Sequence, residues 1–136
     1  MRQIVFLFMF FSVTMVFAVD QNQIVTRSQF EDLSIQGGGV NINNFSIRED
    51  TSFWDRNLRV IRVSFSARNR NAVSKQFAIM LVGFDESDNL LWSMNLEPMM
   101  GAISENQTED ISGSVYISQG TLNRTKKIWY RIIGNF

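Results

Sequence analysis

Few residues in this 136-residue sequence have the type and spacing to do chemistry. Cysteine and histidine are both absent. Their absence removes disulfides, thiol nucleophiles, Cys/His zinc sites, His-ligated haem and Ser-His-Asp triads. Carboxylates gather at Asp85, Glu86 and Asp88, without the D-x-D-x-D-G spacing or the bidentate glutamate of a calcium loop, so a solvated turn is expected there. Glu105, Glu109 and Asp110 read in the same way as a polar loop and a strand start. A glycosidase needs two carboxylates about 5–9.5 Å apart across a cleft, and so short a chain has little material for one. Ser74-Lys75 is the one adjacent Ser–Lys pair. Nothing around it predicts the burial that would lower a lysine pKa. The expectation is a chain with no catalytic residue, no metal and no cofactor.

Residues suited to binding are better represented. Arg56, Arg59, Arg62, Arg68, Arg70 and Lys75 fall close together, with Asp55 the lone acid among them. Arg62, Ser64, Ser66 and Arg68 alternate along one face of a strand, so at ~6.6 Å per two residues the arginines bracket a polar ledge. Guanidinium forks match carboxylates and phosphates. The run reads either as a docking face for an acidic partner or as a solvated strand face. Phe53-Trp54 lies in the polar stretch from Arg48 to Asn57, and Met99-Met100 lies in a loop between Pro98 and Gly101. Such residues are either tucked over the core or presented to a partner. If presented, Trp54, Met99 and Met100 are the anchors of one interface, the methionines giving an adaptable surface. Trp129 alternates against Ile128 and Tyr130, so either face is open to it, and on a last strand it can mark an edge that pairs with another chain.

The elements that must position these side chains are strands. Apolar residues recur with period two at Ile61, Val63, Phe65 and Ala67, and again at Ile111, Gly113, Val115 and Ile117. Phe77 to Val82 is apolar on both faces, which predicts a central strand. Leu90, Trp92, Met94 and Leu96 share a face, with Trp92 expected in the core. Ile128 to Ile133 forms a last strand and Val40 to Ile47 a weaker one. Asp85 to Asn89 joins two of these strands as a hairpin, and Glu97 to Thr108 makes a longer loop. Residues 19–36 are ambiguous. Ser28-x-x-Glu31 fits a helix capping box, yet Ile24 and Phe30 also suit an extended strand. Gly37-Gly38-Gly39 is costly to order and reads as a hinge or linker after a mobile arm.

The first 18 residues have the parts of a secretory signal: Arg2, an apolar run from Ile4 to Phe17, and Val16-Phe17-Ala18 before the cleavage point. That run is shorter than the ~20 residues needed to span a bilayer core. Cleavage is therefore expected, leaving no stable membrane insertion and a periplasmic or secreted location. The formal charge is zero, and losing Arg2 leaves 12 basic against 13 acidic side chains. Such a balance argues against a nucleic-acid partner.

Val60 to Phe65, Phe77 to Asp85 and Leu90-Leu91-Trp92 together resemble exported bacterial immunoglobulin-like modules of the FxLYD kind. There, a strand ending in aromatic-Asp turns through a short polar hairpin into the next strand; Asn89 stands here where those hairpins have glycine. The resemblance implies a sandwich used for interaction within the cell envelope. The fold expected is all-β: an immunoglobulin-like antiparallel β-sandwich of about seven strands over residues 40–136, with a flexible N-terminal arm and linker over 19–39 and the signal over 1–18. The function expected is a non-catalytic protein-interaction module, an accessory or structural subunit of a secretion or surface assembly, whose partners are other envelope proteins. The alternatives are a fimbrial subunit completed by strand donation and a secreted carbohydrate-binding module with Trp54 or Trp129 as its stacking platform.

Overall fold

The computed structural model describes residues 22–134. The segment expected to be a signal, and the part of the expected arm before Asn22, lie outside them. Nine strands make up the described chain: β1 (Asn22–Thr26), β2 (Ile35–Gly37), β3 (Val40–Thr51), β4 (Arg59–Asn69), β5 (Lys75–Phe84), β6 (Leu90–Leu96), β7 (Ala102–Ile103), β8 (Thr108–Ile117) and β9 (Lys127–Gly134). A 3₁₀ turn covers Phe30–Asp32 and a single helical turn, α1, covers Thr121–Arg124. One sheet has the order β1-β9-β5-β6, with β7 pairing the start of β5, and the other has the order β2-β3-β4-β8. Every strand pair is antiparallel.

The two sheets bury their period-two faces against each other. Ile61, Val63, Phe65 and Ala67 from β4 meet Phe77, Ile79 and Leu81 from β5, with Trp92, Ile111, Ile128 and Tyr130. Between β4 and β8 the chain visits the other sheet through β5 and β6, and β9 then returns beside β5. This is a Greek-key crossing between the two sheets of an antiparallel β-sandwich. Three aromatic rings form a file in the core, with Phe30 5.3 Å from Phe45 and Phe45 5.3 Å from Phe65.

Among the described residues, the sandwich already includes the segments from Asn22 on, ahead of Val40. Asn22–Thr26 pairs along β9, and Phe30 is wholly buried. Gly38 (φ 54°) and Gly39 (φ 79°) form the two-residue turn of the β2–β3 hairpin, where two successive left-handed residues are required. A side chain at Gly39 would also strike Asn71, whose Nδ2 donates to the Gly38 carbonyl at 2.7 Å. The glycine run is therefore a hairpin turn pinned to the next loop, not a linker. The Ser28 capping box does not form either: Gln29 is the N-cap, without a side-chain cap, and Glu31 Oε1 accepts from the Ile47 amide at 3.3 Å. Phe30 leaves the extended path because its ring belongs to the core file.

Candidate functional site

The β3–β4 loop closes on itself. Ser52 N donates to Leu58 O at 2.8 Å, Leu58 N to Asp55 O at 3.0 Å, and Asn57 N to Asp55 Oδ1 at 2.8 Å. Ser52 is buried, and its hydroxyl accepts from Trp54 N at 3.3 Å. With the polar groups turned inward, the apolar side chains go outward: Phe53 is 83% exposed and Trp54 85%, their rings edge to face at 5.2 Å. They are presented, not tucked.

Arginines stand beside them. Arg56 and Arg62 line a shallow depression with Phe53, Asp50, Thr51 and Ser52. The ladder register places Arg48 opposite Arg62, and Arg62 opposite Ser114 on β8. One row along, Asp50, Val60 and Tyr116 face one another, and Tyr116 is 59% exposed. Arg48 lies 3.9 Å from Asp50, both in open solvent, where an ion pair holds little energy. The result is a group of three guanidiniums and three aromatic rings toward one end of a sheet face that is otherwise mostly polar, with Arg68 and Asp110 toward its other end. Trp, Tyr and Arg are the residue types that dominate binding energy at protein interfaces.

Behind the patch, on the inner side of the same hairpin, Glu49 fastens the end of the sandwich. Its carboxylate accepts from Gly120 N at 2.9 Å, Leu122 N at 3.1 Å and Arg59 Nε at 3.3 Å. Burial alone would raise its pKa, but these hydrogen bonds and the Arg59 charge together hold it below the ordinary carboxylate value. Asp85 Oδ1 and Oδ2 accept from Asn89 Nδ2 and from the amides of Ser87 and Asn89. The Asn89 bonds, followed by that of Ser87, lower its pKa. That carboxylate holds the hairpin turn together.

The residues singled out in the sequence separate into four places. Arg62, Ser64, Ser66 and Arg68 do share the outer face of β4, but Arg68 pairs with Thr108 near the far end, roughly 20 Å from Arg62. Met99 and Met100, 89% and 87% exposed, sit in the β6–β7 loop, at the end of the sandwich opposite Trp54. The three anchors expected to form one interface therefore do not. Trp129 is half-buried on the outer face of the other sheet, between Ile24 of β1 and Val82 of β5. Since β9 is paired on both sides, Trp129 marks no free edge.

That outer face carries a second surface. Ala78, Met80, Val82 and Phe84 form a half-exposed row along β5, flanked by Trp129 and by Ile24 and Leu90, which are 64% and 62% exposed. Nothing among the described residues covers it. Tyr116, Arg48 and this row escaped the sequence reading, because strand register, not sequence spacing, brings them to their neighbours. The apolar character of Phe77 to Val82 on both faces was the one signal present. No family model, curated protein or solved structure matches the chain.

Proposed function

We propose that this chain is a non-catalytic protein-interaction module, exported to the bacterial cell envelope, that serves as an accessory subunit of a larger assembly. The observation that carries the reading is the outward Phe53–Trp54 pair on a self-closed loop, where Phe53 shares a depression with Arg56 and Arg62. The partner it fits has an acidic surface with an apolar centre, since rings supply desolvated contact and guanidinium forks hold carboxylates. The uncovered apolar face of the other sheet supports macromolecular contact as well. The signal-like start of the sequence and the likeness to exported immunoglobulin-like modules support the compartment.

The test is capture of partners from an envelope extract by the tagged chain, read by mass spectrometry. Trp54→Ala and Arg62→Glu should each reduce capture at least ~10-fold, as hot-spot losses do. Arg68→Glu, on the same strand but away from the patch, should leave it unchanged. Capture that survives the double variant Trp54→Ala/Arg62→Glu removes this patch from the reading. Quenching of tryptophan fluorescence by polysaccharides, lost in Trp54→Ala, would favour the carbohydrate-binding alternative instead.

A second reading, strand donation between subunits, has one observation in its favour: β1 is a five-residue strand at a sheet edge, beside β9. Such a strand is suited to exchange between copies. It predicts concentration-dependent polymers that disappear when residues 22–26 are removed.

A further inference from the structure

The two sheets have four edges, and three are blunted. Strand β2 has three residues and β1 has five. Strand β6 has seven; its ladder with β5 is broken by a register shift at Gly83/Phe84, and Pro98 follows soon after its end. Short strands, bulges and proline are the usual protections against edge-to-edge pairing. Strand β8 has none of them. Its ten residues run in unbroken register with β4, from Arg59↔Ile117 to Arg68↔Thr108. It contains neither proline nor lysine, and among the described residues no strand pairs with its far side. Its two acids are engaged within the chain: Glu109 accepts from the Met99 amide at 2.7 Å, and Asp110 accepts from the Ser66 hydroxyl.

We propose that β8 pairs antiparallel with β8 of a second copy, about a two-fold axis through Gly113. The sequence of the strand is self-complementary about that residue. Ser112 of one copy falls opposite Ser114 of the other on the outer face, and Ile111 falls opposite Val115 on the core face. Asp110 meets Tyr116, and no like charges face each other. The two four-stranded sheets become one of eight strands. Because the axis stands normal to the sheet, both outer faces of β4 lie on the same side. Three strand spacings and two residues of offset put the Arg62 side chains of the two copies about 16 Å apart. If the patch binds acidic partners as proposed above, the dimer presents it twice on one surface, which raises avidity without new contacts; the pairing itself does not depend on that reading.

A chain free of cysteine makes the test clean. Ser112→Cys and Ser114→Cys variants, mixed under mild oxidation, should form a disulfide heterodimer much faster than either variant alone, since directly opposed positions are within bridging range. Unmodified chain should sediment as a dimer at micromolar concentration. The double variant Ser112→Lys/Ser114→Lys sets lysines opposite lysines and should weaken dimerisation at least ~10-fold, with circular dichroism and melting unchanged. A monomer at high micromolar concentration would overturn the proposal. So would a dimer that the mixed cysteine variants fail to cross-link, whether its copies meet through β1 exchange or through the apolar face of the other sheet.

Discussion

Single residues fasten the ends of this sandwich, and the role of Glu49 among them depends on pH. With its pKa held below the ordinary 4.5, its bonds to Gly120, Leu122 and Arg59 contribute stability that is fully present above that pH and lost as pH falls through the folded-state value. Glu49→Gln should therefore cost roughly 1–2 kcal/mol at neutral pH. The difference from the unmodified chain should shrink below pH ~4.5, as followed by urea unfolding across pH. Gly83 gives a second residue-scale prediction. A Cβ there would lie 2.2 Å from Trp92 Nε1, which donates to Thr125 Oγ1 at 3.0 Å. Gly83→Ala should cost about 1–3 kcal/mol in thermal unfolding by overpacking and shift the tryptophan emission. Trp92 was legible as core from its alternation with Ser93. The need for glycine opposite it was not, because that contact spans two strands.

At the scale of elements, period-two alternation located six strands, and their burial patterns follow it closely in β4 and β5. Leu90 departs from its expected face because the register shift at Gly83/Phe84 turns it outward, opposite Phe84. Alternation failed before Val40. There, the segments are three to five residues long, and their places depend on distant partners: β9 for β1, and the Phe45 ring for Phe30. These positions predict unequal costs. Phe30→Ala should destabilise by about 3–5 kcal/mol, measured by denaturant unfolding. Removing residues 22–26 should cost less, since Ile24 is 64% exposed. A truncation that takes both would abolish folding and say nothing about strand donation.

Taken whole, the molecule is two-faced. One sheet shows water serine, asparagine and arginine; the other shows it the Met80–Val82–Phe84 row around Trp129. Composition averages these faces into an ordinary 45% hydrophobic chain, which is why the sequence read β5 as merely central. If the row meets a partner, Val82→Lys should change the melting temperature little while lowering capture from envelope extract. The native size in gently solubilised envelopes should then be that of a complex, and free migration would count against the assembly reading. The seating of β1 against β9 also has a consequence in time. A ribosome delivers β1 first and β9 almost last, so the opening strand has no ladder partner until nearly the whole described chain has emerged. Loop closure of this length is slow. Among the described strands, this sheet is therefore complete only once β9 has docked between β1 and β5.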